Sequence, residues 1–162
     1  MERKTKIHAE DGRQEITITR EFELPLELLF RAYTDPAIVE QWMGNKVLQL
    51  DNKALGAYRF ETYDPKGNVV LRSRGTIHSF EPDRKITRTF EMENTPFEAQ
   101  LEFLDFTALT ESTSLLTMHV IYRSVAQRDQ MLQLPFAQGI NMAHNRLEQI
   151  MHTSQSTNYE QN

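Results

Sequence analysis

The sequence contains no cysteine, and that single absence removes disulfides, thiolate metal sites and a cysteine nucleophile together. Long apolar runs are missing too: nothing approaches the ~18 residues a membrane-spanning helix needs. The opening Met1-Glu2-Arg3-Lys4 leads into polar sequence rather than the apolar centre of a signal peptide. We therefore expect a cytoplasmic protein with no membrane partner. Positive charge is short, with 18 Lys and Arg against 23 Asp and Glu and a net charge of -5. Proteins that grip a phosphate backbone usually present a basic face, so nucleic acid is not an expected partner. Gly-x-Ser-x-Gly, the P-loop pattern and a dinucleotide glycine fingerprint are all absent, and the five histidines form no His-x-x-x-His pair. No catalytic constellation, cofactor or metal site is expected.

What is present suits one folded core. Over 162 residues, 39% are hydrophobic and 25% charged, too apolar for a disordered chain and within the usual single-domain range. Residues 1–153 read as one domain. The remainder, 154–162, begins in the polar stretch Ser154-Gln155-Ser156-Thr157-Asn158, lacks apolar periodicity and is expected to be a flexible tail.

Ile16, Ile18, Arg20 and Phe22 alternate with Glu15, Thr17, Thr19 and Glu21, which predicts a half-buried strand. Pro25 suits a helix start, and Leu26, Leu29, Phe30 and Tyr33 follow at helical spacing. Asp35-Pro36 restarts the pattern as a cap and a first-turn proline, with Val39 and Trp42 on one face. Two short helices are predicted. From Val47 to Tyr122 the pattern is strands and turns, among them Asp64-Pro65-Lys66-Gly67-Asn68 and Glu81-Pro82-Asp83-Arg84. Ile86, Phe90 and Met92 share one face; Phe97, Ala99, Leu101 and Phe103 another; Leu116, Met118, Val120 and Tyr122 a third. Consecutive hairpins make an antiparallel meander. A closing helix starts between Val125 and Pro135 and runs to about His152, with Phe136, Ile140, Ala143, Leu147 and Ile150 as its apolar stripe. That stripe needs an apolar partner, and the inner face of the meander is the surface large enough to supply it.

The order strand, two short helices, six strands and long helix resembles the α+β helix-grip fold of the START-like superfamily, also called SRPBCC or birch-pollen-allergen-like. Within it the chain resembles the branch named after the activator of the heat-shock-protein-ninety ATPase. The residues that carry the resemblance are Pro25 with Phe30; Thr34-Asp35-Pro36 and Trp42; Asp64 to Asn68 followed by Gly75, Ile77 and Glu81-Pro82; and Gly139 leading to Arg146-Leu147-Glu148. Two positions depart from it: Ile140 follows Gly139 where many members carry Trp, and Met43-Gly44-Asn45 follows Trp42 where relatives often carry Gly-Pro.

The resemblance implies a curved sheet of about seven strands around the last helix, with an apolar cavity between them. Residues expected at that cavity are Trp42 and Met43; Tyr58 and Phe60; Arg88 and Phe90; Leu101; Met118; and Phe136, Ile140 and Ala143. Arg88 is the most informative, because alternation with Ile86 and Phe90 points its guanidinium at the inner face. A buried charge needs a partner, so an internal ion pair, a strand bulge that turns it outward, or an anchored ligand must account for it. Trp42 closes the mouth or fills core; Gly75 marks a bulge or a close approach of the helix. The expected function is binding of a small, largely apolar molecule. The alternatives are a protein-interaction module of the chaperone-ATPase-activator type, working through a sheet face or edge as monomer or homodimer, and a pocket enzyme of cyclase or hydrolase kind. Arg88, Tyr58 and His78 would be the first residues to test for the last, although alternation places His78 outside.

Overall fold

In the computed structural model, residues 3–160 are described, with side chains through residue 154. The elements are β1 (Lys6–His8), β2 (Glu15–Phe22), α1 (Leu26–Thr34), α2 (Pro36–Met43), β3 (Lys46–Leu50), β4 (Ala57–Tyr63), β5 (Val69–Glu81), β6 (Lys85–Met92), β7 (Gln100–Ala108), β8 (Ser114–Ile121), α3 (Val125–Gln133) and α4 (Phe136–Glu160). One antiparallel sheet runs in the order β1-β2-β8-β7-β6-β5-β4-β3. The six-strand meander from β3 to β8 is closed by β2, which pairs with β8 from Glu15↔Ile121 to Phe22↔Ser114. The expected seven strands become eight because Lys6–His8 adds a short edge to β2. Three residues are too few for periodicity to reveal.

The turns form for the reasons their residues suggest. Asp35 accepts a hydrogen bond from the Ala37 amide at 3.0 Å, and Pro36 occupies the first turn of α2. In the β4–β5 turn, Asp64 Oδ1 accepts from the amides of Lys66 and Asn68, both at 2.9 Å, while Gly67 takes φ 87°. The closing helical region divides in two. Leu134 is held extended before Pro135, which has no N–H to continue α3. α4 then runs to Glu160, past the boundary expected at residue 153.

The core lies between the concave face of the sheet and the helices. Ile16, Ile18 and Phe22 of β2 meet Leu104 and Phe106 of β7 and Leu116, Met118 and Val120 of β8, all nearly inaccessible. Phe30 of α1 packs 4.9 Å from the ring of Phe106 and 5.5 Å from that of Phe80. α4 contacts this core unevenly. His144, Leu147 and Met151 in its later turns are sealed at 0–2% exposure, with Ile150 beside them half buried, whereas none of Phe136, Ile140 and Ala143 in its first turns is more than half buried. None of the helices among the described residues is long and apolar enough to cross a membrane.

β7 corrects one expectation. Its inward residues are Gln100, Glu102, Leu104 and Phe106, so Leu101 faces outward with Phe103, whose ring stacks 6.0 Å from His119. The strand carries apolar residues in both phases. Pairing with β6, in which Arg88 stands opposite Glu102 and Ile86 opposite Leu104, selects the phase that alternation alone misassigned.

Candidate functional site

The inner face holds two buried polar clusters. The first is built on the middle of the meander. Arg88 points inward, as its phase requires, and its Nε donates to Glu102 Oε1 at 2.9 Å. Gln100 Nε2 donates to the other carboxylate oxygen at 2.8 Å. The Arg88 guanidinium lies 5.2 Å from the centre of the Tyr58 ring, and the Tyr58 hydroxyl donates to the Thr89 carbonyl. Burial works against the Arg88 charge, but the charge and hydrogen bond of Glu102 offset it and the guanidinium stays protonated. Burial also raises the Tyr58 hydroxyl far above the usual phenol range.

Gly75 makes this arrangement fit. It stands opposite Tyr58 across β4 and β5, and a Cβ there would lie 2.0 Å from the Thr89 carbonyl oxygen and 2.5 Å from the Tyr58 ring. The close approach at Gly75 is therefore that of the Tyr58 ring and the neighbouring strand, not of the helix. The bulge comes later in β5, between Ile77 and Ser79. It leaves His78 outside and does not turn Arg88 outward.

The second cluster joins β2 to α4. Arg20, 2% exposed, donates from Nη1 to Asn145 Oδ1 at 2.8 Å and to Thr5 Oγ1 at 3.2 Å, and its Nη2 lies 3.6 Å from Glu148. His144 sits beside it, with Nδ1 at 2.9 Å from Thr5 Oγ1 and Nε2 at 3.0 Å from the Tyr33 hydroxyl. Burial, assisted by the Arg20 charge, lowers His144 from 6.5 to about 3, so the ring is neutral, donating to one hydroxyl and accepting from the other. Burial likewise raises the Tyr33 hydroxyl, which also responds to the charges of Arg88, Glu102 and Arg20. The two clusters thus share one interior.

The residues expected at the cavity divide into three groups. Trp42, Tyr58, Phe60 and Met118 are sealed in the core at 0–6% exposure. Trp42 donates from Nε1 to the Ala32 carbonyl at 2.7 Å and packs 5.0 Å from the Tyr33 ring, so it fills core. Arg88, Phe90, Phe136, Ile140 and Ala143 are half buried on the inner side. Met43, 36% exposed, and Leu101 do not join them. Sequence reasoning missed Glu102, Gln100, His144 and Tyr33. Arg20 carried the same signal as Arg88, a cation in phase with buried residues.

Glu148 and His152, four residues apart on α4, bring ligand atoms within 4.8 Å of each other and of Glu23, a spacing overlooked in the sequence. Glu148 is already engaged by Arg20, by Lys4 at 3.8 Å and by the Glu23 amide at 3.3 Å. An open groove of about 670 Å³ beside the end of β2 that extends past β1, bordered by Arg3, Lys4 and Glu148, carries mixed charge.

A family model described as Activator of Hsp90 ATPase homolog 1-like protein matches residues 23–152. The chain belongs to that family. No curated protein matches its sequence. Solved structures confirm the START-like fold of this family member. A protein from Rhodobacter sphaeroides superposes with TM-score 0.83 at 19% identity, over 93% of this chain and 99% of the other. One from Mycobacterium smegmatis gives TM-score 0.79 at 20% identity over 90% and 95%, and one from Nitrosomonas europaea 0.76 at 17% over 91% and 99%. At these identities the likeness speaks for the fold alone.

Proposed function

We propose that this family member binds a small, largely apolar molecule in the seam between the inner face of the sheet and the first turns of α4. The observation that carries the reading is the uneven contact of α4. Three residues of its later turns, His144, Leu147 and Met151, are sealed and Ile150 is half buried, while in its first turns Phe136, Ile140 and Ala143, with Phe90 of β6, all stay half buried although they pack against the core. Apolar walls with a few fixed polar groups suit a small-molecule site, and Arg88 and Glu102 are such groups. Thermal shift and native mass spectrometry against lipids, aromatics and polyketide-like compounds test it. At least one compound should raise the melting temperature and remain bound in the gas phase, and Ala143→Trp should abolish both effects. A panel in which nothing binds would overturn the reading.

A second reading, a protein-interaction module, draws on the free edge strand β3, where Leu48 is 46% exposed. Exposed edges pair readily with other chains. The family description names a chaperone ATPase activator, so unchanged chaperone ATPase rates in the presence of the purified protein would count against it.

A further inference from the structure

The Arg88–Glu102 pair is incomplete as an internal ion pair. Of the Arg88 donors only Nε is used, and the two terminal nitrogens, Nη1 and Nη2, meet no hydrogen-bond acceptor among the described residues. Neither nitrogen is sealed from solvent, unlike Arg20 Nε, which is both sealed and unpartnered. The side chain is nevertheless only 12% exposed, and it cannot swing away. Its Nε is held by Glu102, Glu102 is held by Gln100, and its guanidinium rests against a Tyr58 ring that the missing Cβ of Gly75 allows to lie close. The terminal N–H groups reach solvent from a side chain that is otherwise enclosed, and the protein leaves them to water or to a ligand oxygen.

We infer that Nη1 and Nη2 of Arg88 hold the oxygen of a neutral carbonyl-bearing apolar ligand, a ketone or ester, rather than a carboxylate. The inference rests on the proposed binding seam and names the chemistry of its occupant. Neutrality follows from the charge already present. Glu102 balances Arg88, so a ligand carboxylate would leave a net negative charge in the interior, close to a second carboxylate. A carbonyl accepts both N–H groups without adding charge, and its apolar remainder lies against Phe90 and the first turns of α4.

The test compares octane, 2-octanone and octanoate for binding to the full chain by calorimetry, with wild type and with the double variant Arg88→Met/Glu102→Gln. The double variant removes both charges together, so no orphaned ion is left to unfold the protein. Without an anchor the ketone binds more weakly than the alkane, because its carbonyl must shed water. With the anchor the order reverses. In wild type 2-octanone should bind roughly tenfold or more tighter than octane, with octanoate no tighter than the ketone. In the double variant octane affinity should persist while the ketone falls below it. An equal ketone preference in both proteins would overturn the anchor and leave the seam intact. Octanoate binding tenfold tighter than the ketone would overturn the neutral head group. If none of the three binds wild type, the seam itself fails as a site and the inference goes with it.

Discussion

The substitution Gly75→Ala probes the packing that fixes Arg88. The added Cβ would lie 2.0 Å from the Thr89 carbonyl oxygen and 2.5 Å from Cε1 and Cζ of Tyr58. The carbonyl belongs to a strand paired on both sides and cannot yield cheaply, so the backbone must be forced apart there and the Tyr58 ring must move as well. Overpacking of this kind costs ~1–3 kcal/mol. Displacing the ring also breaks the hydrogen bond from the Tyr58 hydroxyl to Thr89, adding ~1 kcal/mol. A loss of about 2–4 kcal/mol is expected, which at a urea slope of ~2 kcal/mol/M lowers the midpoint by ~1–2 M. Gly139→Ala is the control, since a Cβ there meets no atom within 4 Å and φ is not positive. On the exposed side of α4 it should stabilise by ~0.5–1 kcal/mol. Equilibrium urea unfolding of both variants decides: a Gly75→Ala midpoint at or above the wild-type value would refute the packing argument.

Three further outcomes are expected. Arg88→Met alone should cost ~3–5 kcal/mol by orphaning Glu102, and Arg88→Met/Glu102→Leu should recover most of that loss in urea unfolding. His144 titrates at about 3 in the fold against 6.5 for the free group. The unfolded chain therefore takes up its proton first, and the stability this group supplies is complete above pH 6.5 and declines as pH falls towards 3. The decline is ~1.4 kcal/mol per pH unit, and His144→Gln should remove that slope from denaturation measured between about pH 6 and pH 4.5. Asp35→Ala should lower stability by ~0.5–2 kcal/mol through loss of the α2 cap, read as a fall in melting temperature.

Much of the fold was legible because single residues carried unambiguous local physics. Asp35-Pro36 can hardly be anything but a helix start, and Asp64 to Asn68 anything but a turn. β2 alternates cleanly enough to be read without help. Legibility failed where two phases competed. β7 offers Leu101 and Phe103 on one face and Leu104 and Phe106 on the other, and its inward face also carries Gln100 and Glu102, residues alternation treats as solvent-facing. Only the pairing of Glu102 with Arg88 resolves it, and that is a contact between strands. α4 shows the same limit. The stripe drawn through Ala143 bypassed His144, since a histidine held by two hydroxyls from distant segments cannot be distinguished in sequence from one in water. β1, at three residues, was too short to carry a period.

Arg88 was readable as an inward cation, and an internal partner was among the explanations weighed. What the sequence could not convey is that the partner takes only one of its nitrogens. That detail depends on the Glu102 geometry and on the room left by Gly75.

The most direct measurement is a crystal structure of the protein grown with 2-octanone. Ligand density is expected between α4 and the sheet, with the carbonyl oxygen within hydrogen-bond distance of Arg88 Nη1 and Nη2 and the alkyl chain lying against Phe90, Phe136 and Ile140. A structure in which those three side chains close over Arg88 and no ligand enters would contradict it.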